Sequence, residues 1–192
     1  MPLLLKILGV KVVGTAISLI VLLTKTGPSF TPITLLHENE TIFIETSLKK
    51  AFSKGLDEII MSGTEVGIIY TCTLLERDQD GFISPLYEKT IYQYILYDPV
   101  RDSFWVKKEQ HSQMPGHALD SVQQTIVLLS VPMISIHSVT PEKDYAIKIV
   151  ASLNTIEIEA IEADDFDLNA FWNFKYPSAV TEWLSGEELR SP

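Results

Sequence analysis

The stretch "TEVGIIYTCTLLERDQDGFISPLYEKTIYQYILYDPVRDSFWVKKE", residues 64–109, holds three runs of β-branched and aromatic residues separated by two turn-forming segments. This composition favours β-strands joined as hairpins. The second turn, residues 98–102, has a proline at the position where such turns prefer one. In the first run, five alternate residues share one strand face: Val66, Ile68, Tyr70, Cys72 and Leu74. The stretch therefore predicts an antiparallel meander of three strands.

The first turn, "ERDQDGFISPLYE" at residues 76–88, resembles a calcium-binding loop. Acidic residues take the first ligand positions, and Gly81 takes the position where such a loop needs glycine. However, Tyr87 occupies the position of the bidentate glutamate, and Pro85 interrupts the place where a second helix would begin. We therefore predict a hairpin turn, with weak adventitious calcium binding as the alternative.

Two amphipathic helices are predicted, one before and one after the meander. The first has apolar residues at helical spacing from Leu48 to Ile60, with Thr46 or Ser47 as its cap and Gly63 at its end. The opposite face is basic, which indicates a solvated face, with contact to anionic lipid as the alternative. Its lysines are Lys49, Lys50 and Lys54.

The second helix is predicted from Leu119 to Leu129, after a loop at residues 110–116 and before Pro132, which we expect to end it. A long strand follows, in which alternate residues from Tyr145 to Leu153 are apolar. Such alternation indicates a strand with one buried face. The predicted fold class is α+β: an antiparallel sheet, made of the meander plus a long C-terminal strand, with two amphipathic helices on one face. A β-sandwich-like fold with added helices is the alternative.

The amino-terminal stretch "LLLKILGVKVVGTAISLIVLL" carries two lysines and then an uncharged run at residues 12–23. The run has the length of a secretory signal core, and extension back to Ile7 reaches the short end of a membrane span. Lysines before the run favour a cytoplasmic amino terminus. Because small residues suited to cleavage are lacking, we predict a retained transmembrane helix; a cleaved signal and a buried soluble helix are the alternatives.

These features predict four parts of the chain. Residues 1–25 form the signal anchor, residues 26–40 with their glycine and prolines form a tether, residues 41–186 form the exported domain, and residues 187–192 form a tail. The predicted location is a bacterial inner membrane, with a single pass and the C-terminal domain in the periplasm.

Composition and charge exclude some function classes. With 46% hydrophobic and 21% charged residues, the chain can build a core. Residues 1–28 carry +3, which leaves −13 on the remainder of a chain whose total is −10. A domain this acidic repels phosphate backbones, so no nucleic-acid partner is expected. The single cysteine excludes an intrachain disulfide and a cysteine cluster for zinc.

An acidic segment, "EIEAIEADDFDLN" at residues 157–169, contains the weak candidates for a metal site. Hard carboxylate oxygens suit a divalent cation, whereas a solvated loop and a basic protein partner are the alternatives. The candidates are Asp164, Asp165 and Asp167. His111 and His117 bracket a Pro-Gly turn but lack a third ligand. No catalytic motif or cofactor motif is present, so no catalytic residue and no cofactor are predicted, and enzyme activity is not favoured.

Aromatic residues are dense near the carboxyl end, in "FDLNAFWNFKYPSAVTEWL". They predict either closure of the core or contact with a partner, because aromatic side chains anchor protein interfaces. The residues predicted to bind a partner are Phe171, Trp172, Phe174, Tyr176 and Trp183.

Five segments occur in a fixed order: "SGTEVGIIYTCTLLER", "KTIYQYILYDPVRDSFWV", "ALDSVQQTIVLL", "DYAIKIVASLN" and "SAVTEWLSG". In this order they resemble a family of bacterial exported proteins, domain of unknown function 4390, over residues 40–186. The resemblance implies an exported domain behind a signal or membrane-spanning segment, and it implies no catalytic residue.

From these observations we expect a membrane-anchored extracytoplasmic binding or scaffold domain that engages a protein partner in the envelope. The anchor would act by raising the local concentration of the domain near membrane partners. An envelope hydrolase and a carrier of an apolar ligand such as lipid are the alternatives.

Overall fold

The computed structural model describes residues 27–108, 111–116, 118–156 and 165–191. The predicted anchor, residues 1–25, lies outside this part of the chain. None of the helices in the described residues has the length and hydropathy of a membrane span.

Strands dominate the described residues, and every pairing between them is antiparallel. The strands are β1 (Ser29–Phe30), β2 (Thr34–Glu38), β3 (Thr41–Lys49), β4 (Val66–Arg77), β5 (Ile83–Asp98), β6 (Ser103–Lys108), β7 (His111–Gly116), β8 (Leu128–Ser135), β9 (Asp144–Leu153), β10 (Thr155–Ile156), β11 (Phe166–Asp167), β12 (Ser178–Val180) and β13 (Leu184–Ser185). The helices are α1 (Lys54–Met61), α2 (Leu119–Val127) and α3 (Gly186–Arg190).

The larger sheet has the order β12-β9-β4-β5-β6-β7, and β13 also pairs with β9. The predicted meander is confirmed as β4, β5 and β6, and the predicted long C-terminal strand as β9. The alternate residues of β4 from Val66 to Leu74 are fully buried, as their spacing predicted. We call the end of this sheet near Val66 the lower end and the end near Arg77 the upper end.

A second sheet contains β1, β2, β3 and β8, with β3 paired to the other three strands. It contradicts the predicted tether at residues 26–40, because β1 and β2 lie in that range and pair with β3. Short apolar segments such as β1 and β2 carry no clear period of their own. Their strand form depends on β3, which supplies the hydrogen-bonding partner.

The first helix is shorter than predicted. Residues from Ile42 to Leu48 alternate between buried and less buried positions in β3, and α1 begins only at Lys54 behind the cap Ser53. The serine side chain accepts a hydrogen bond from the backbone N–H of Leu56. Leu48 fits both a helical and an alternating pattern of apolar residues. It lies in a strand because β3 pairs with its neighbouring strands.

Two further predictions near the second helix are wrong. The predicted loop at residues 110–116 contains β7, which pairs with β6. Pro132 does not end a helix, because α2 ends at Val127 and Pro132 lies within β8. It faces Phe43 beside an irregularity in the pairing of β3 with β8. An edge strand tolerates proline at such a place because one side of it needs no N–H donor.

The predicted tail also has structure. Residues 186–190 form α3, whose cap Ser185 and Glu188 exchange hydrogen bonds in a capping box. Leu189 is buried against the core. Gly186 lies so close to the next segment that an added Cβ would be 2.1 Å from the carbonyl oxygen of Thr140. The tail is therefore part of the domain.

Strands β10 and β11 pair only with each other, and the two larger sheets share one hydrophobic core with the helices. The hydroxyl of buried Tyr70 in the larger sheet donates to the carbonyl of Ile126 in α2, and its ring packs 6.2 Å from that of Phe30 in β1. The α+β class with a mainly antiparallel sheet is confirmed. Cys72 is buried in this core as predicted, and burial raises the pKa of its thiol to about 12.

Candidate binding surfaces

The upper half of β5 is paired on only one side. Strand β4 pairs with β5 from Ile83 to Ile95, whereas β6 pairs only from Gln93 to Asp98. Among the residues that the structure describes, none forms a strand beside the outer edge of residues 83–92. We call this edge, residues 83–92, the open edge. Unpaired N–H and C=O groups along such an edge can accept an added strand.

The open edge carries exposed apolar side chains. Phe82, in the turn before β5, is 70% exposed. Further along, the exposed residues include Ile83, Leu86, Tyr87 and Tyr92. Large apolar side chains that are exposed along one strand edge are typical of a protein-binding surface.

The open edge is interrupted at its outer end. Leu74 pairs with Tyr87 and Leu75 pairs with Pro85, so Leu86 is an extra residue in a β-bulge. Proline has no N–H to donate, and a bulge disrupts regular pairing. A partner strand can therefore pair regularly with six residues, 87–92.

The predicted hairpin turn between β4 and β5 is confirmed. Oδ1 of Asp78 accepts hydrogen bonds from the backbone N–H groups of Asp80, at 3.0 Å, and Phe82, at 2.8 Å. Gly81 has a positive φ of 82°, which favours glycine. The acidic side chain thus orders the turn, and Phe82 is held at its tip.

Ion pairs hold β4 to its other neighbour at the upper end. Glu76 accepts hydrogen bonds from Nζ of Lys143, at 2.5 Å, and from the hydroxyl of Tyr145, at 3.2 Å. The hydrogen bond to Glu76 raises the pKa of Lys143. Arg77 pairs with Asp144 at 2.7 Å. These contacts fix the base of the hairpin that carries the open edge.

The aromatic residues near the carboxyl end, predicted to bind a partner, separate into three environments. Trp172 is 3% exposed, and its indole N–H donates to the carbonyl of Ala51 at 2.8 Å, so it closes the core. Phe171 packs on Gly55, where an added Cβ would lie 2.5 Å from the ring. Trp183 lies apart at the upper end, with the guanidinium of Arg77 4.5 Å from its ring centre.

Phe174 and Tyr176 instead face solvent at the lower end, 60% and 52% exposed. Asn173 and Phe174 both have left-handed backbone, with φ of 53° and 54°. This conformation is costly for a bulky residue such as phenylalanine. The turn persists because the N–H of Phe174 donates to the carbonyl of Asn169, whose side chain bonds to the backbone of Leu153. The two exposed rings are therefore presented by a fixed turn.

A cavity of about 200 Å³ lies beside this turn. Its lining includes the first described residues, Gly27 and Pro28, together with Phe52 and Lys175. A second cavity of about 290 Å³ lies between α2 and the segment before α1, and it has Asp120 and glutamines in its wall. Both cavities have charged side chains in their lining, so neither is the dry apolar slot that a lipid carrier needs.

The metal candidates do not come together in the described residues. Asp167 accepts hydrogen bonds from the backbone and side-chain N–H groups of Asn169, at 2.8 and 2.7 Å, and it caps a 3₁₀ turn at Leu168–Trp172. Asp165 is exposed, and Asp164 lies outside the described residues. Among the described residues no group of three His, Cys, Asp or Glu side chains is placed to hold a metal ion. The metal site stays a prediction.

Two of the described histidines make contacts within the domain. His37 bonds to the carbonyl of Leu189 at 2.7 Å, and His137 lies 3.1 Å from Glu40. Of the pair considered in the sequence, His117 lies outside the described residues.

Comparisons of the chain with models of protein families, with curated proteins and with solved structures found no match. The resemblance to domain of unknown function 4390 therefore stays a prediction.

Sequence reasoning missed the open edge. One signal was available: the second strand of the meander is long, whereas "SFWVKKE" is short and ends in charges. A long strand next to a short one must leave part of its edge uncovered.

Proposed function

We propose that the chain is a membrane-anchored binding or scaffold domain of the bacterial envelope, which engages a protein partner by strand addition at the open edge. The amino-terminal segment would hold it in the inner membrane with the domain in the periplasm. One observation carries the proposal: residues 83–92 pair with β4 on one side only and expose apolar side chains there.

The geometry defines the partner segment. It is extended, and its backbone pairs with residues 87–92, since Pro85 and the bulge at Leu86 block pairing beyond them. Tyr87 and Tyr92 lie at odd and even positions of the strand, so they contact opposite faces of the added strand. We therefore expect apolar partner side chains on both faces, near the two ends of the paired segment.

The partner is a protein rather than a nucleic acid, because the chain carries a net charge of −10. Backbone pairing supplies the affinity in strand addition, and side-chain pockets supply the specificity.

Photocrosslinking in the native membrane tests the proposal. A photoreactive phenylalanine analogue at Tyr87 in the full chain should give a protein adduct, whereas the same analogue at Val100 should not. Val100 is a suitable control because it is 93% exposed and lies in the turn between β5 and β6, away from the open edge.

Binding of the purified partner should then slow amide hydrogen exchange at residues 87–92, because new backbone hydrogen bonds protect them. With the analogue kept at position 87, Leu86→Lys combined with Tyr92→Lys should abolish the adduct without unfolding the chain, since both side chains are exposed. Equal adducts at both positions, an adduct with a second copy of the chain, or unchanged exchange at residues 87–92 would refute strand addition by a partner.

A further inference from the structure

Strand β6 closes one end of the open edge. It pairs with β5 from Gln93 onward, and its last residue, Lys108, lies opposite Gln93. A strand added along residues 87–92 therefore meets the end of β6 directly after the position opposite Tyr92. The added chain must end there or leave the plane of the sheet, because two strands cannot occupy the same place beside β5.

Polar atoms from three elements lie at this meeting point. Nζ of Lys108 donates to the carbonyl of Leu128 at 3.1 Å, and Nε2 of Gln93 donates to the same carbonyl at 3.4 Å. The Gln93 side chain is 3% exposed, and its Oε1 has no hydrogen-bond partner among the described residues. Buried polar atoms normally have partners, so this oxygen marks a place where an N–H group of a ligand can bind. We call Gln93, Lys108 and Leu128 the polar corner.

The ammonium of Lys108 suits an anionic ligand. Burial lowers its pKa, because water solvates the charged form less well at this half-buried position. An ammonium has three N–H donors, so the bond to Leu128 leaves donors for a ligand. A carboxylate beside Lys108 would restore charge-assisted hydrogen bonds to a cation that burial has partly removed from water.

The charges around the polar corner favour an anion over a cation. Residues 88–93 and 107–109 contain three lysines and two glutamates, which gives 3 − 2 = +1 within a chain of −10. The neighbouring segments of β4, α2 and β8, residues 66–70 and 124–131, contain no charged residue. The amino terminus of a partner would thus be repelled by Lys108, whereas its carboxyl terminus would be attracted.

We propose that the open edge takes the carboxyl-terminal segment of its protein partner, with the terminal carboxylate held by Lys108. The partner strand runs parallel to β5, from the level of Tyr87 to that of Tyr92, and ends at the polar corner. Oε1 of Gln93 accepts the N–H group of its last residue. The inference rests on the strand addition of the proposed function, and it adds the direction of the strand and the end of the partner that binds.

The opposite end of the open edge differs in a way that fits this direction. Pro85 and the bulge at Leu86 stop regular pairing there. However, none of the described strands lies beside residues 83–86 on that side, so the path of the partner chain stays open. The partner can therefore lead from its own folded part past Phe82 onto the open edge, and its chain ends where β6 blocks further extension.

Peptide binding to the full chain in nanodiscs tests the inference. The probe is a synthetic library of short peptides with randomised residues before a free carboxyl end, and mass spectrometry identifies the peptides that the immobilised chain retains. Each retained peptide is then synthesised again as its carboxamide, which removes the terminal charge. Amidation should weaken binding about tenfold, because it removes charge-assisted hydrogen bonds to Lys108. This comparison uses the unaltered protein, so it does not depend on how a variant folds.

Variants of the chain locate the carboxylate. Lys108→Met should weaken binding of the free acid about tenfold and leave binding of the carboxamide unchanged, because only the acid uses the ammonium. The matched control Lys107→Met makes the same change in net charge at an exposed neighbouring position, on the opposite face of β6. It should bind both peptides as the unaltered chain does. Amide hydrogen exchange at residues 87–92, measured with each peptide, shows whether the strand pairs.

The outcomes separate this inference from the proposed function. Peptides that protect residues 87–92, but bind equally well as carboxamides or to Lys108→Met, would refute capture of the terminus and leave strand addition intact. An equal loss of binding in Lys107→Met would refute Lys108 as the specific contact. A library from which no peptide is retained, or whose retained peptides leave exchange at residues 87–92 unchanged, would refute strand addition itself.

Discussion

The two ends of the larger sheet both expose large apolar side chains, but their surroundings differ. At the upper end, ion pairs of Glu76 and Arg77 fasten β4 to β9, and the exposed residues follow a strand with an unpaired edge. At the lower end, Trp172 and Phe171 seal the core, and the exposed rings of Phe174 and Tyr176 flank Lys175 on a fixed turn. The difference teaches that the neighbours of an exposed aromatic residue, more than its exposure, indicate what it contacts.

The largest expected effect is on the free energy of unfolding, and it compares two aromatic residues that are close in the chain but differ in burial. Trp172→Ala should lower the free energy of unfolding by about 3–5 kcal/mol, because it removes a buried ring and leaves the carbonyl of Ala51 without its donor. The matched variant Phe174→Ala should change it by less than about 0.5 kcal/mol, because that ring is in solvent. Urea titration followed by circular dichroism measures both. Similar losses in the two variants would show that the turn is part of the core.

An effect of intermediate size is expected when alanine replaces either of two glycines, one at each end of the larger sheet. Gly186→Ala would put a Cβ 2.1 Å from the Thr140 carbonyl, which is backbone and cannot move freely, so we expect a loss of about 1–3 kcal/mol. At Gly67 the added Cβ would meet the ring of Tyr94, at 2.2 Å, and this partly exposed ring can rotate away. The loss there should be smaller. Thermal unfolding of the two variants in the same buffer measures both losses of stability. A larger loss for Gly67→Ala would show that the ring of Tyr94 cannot rotate away.

The smallest expected effect is a loss of stability at alkaline pH, which comes from the ion pair between Lys143 and Glu76 at the upper end. The hydrogen bond to Glu76 raises the pKa of Lys143 above its ordinary 10.5. The stabilisation is therefore complete below the pKa of the unfolded chain and is lost as the pH rises through the pKa of the folded chain. Glu76→Gln should remove this alkaline loss of stability. Unfolding titrations from pH 9 to about pH 12 measure the difference, and identical slopes in both proteins would exclude the coupling.

The sequence predicted the elements whose pattern repeats over many residues. Alternation from Val66 to Leu74 and from Tyr145 to Leu153 indicated the two central strands, and both are buried on the predicted face. Leu48 was misassigned because its position satisfies both a helical and an alternating period. Only pairing with residues far along the chain, such as Leu128 opposite Ser47, settles which period applies.

The candidate surfaces were predicted only in part. Composition identified the aromatic cluster, but it could not separate Trp172, which turns inward, from Phe174, which turns outward. That division depends on left-handed backbone at Asn173 and Phe174, and propensity disfavours this conformation for phenylalanine. The open edge depends on where β6 stops relative to β5, which is a property of sheet register that no local pattern contains.

The position of Cys72 has a consequence for how the protein responds to oxidants. A thiol enclosed in the core stays reduced among oxidants as long as the fold is intact, because neither an oxidant nor a second thiol can reach it. Two chains can then become covalently joined only after one of them has opened. A disulfide-linked dimer on a non-reducing gel would thus report molecules that failed to fold or lost their fold.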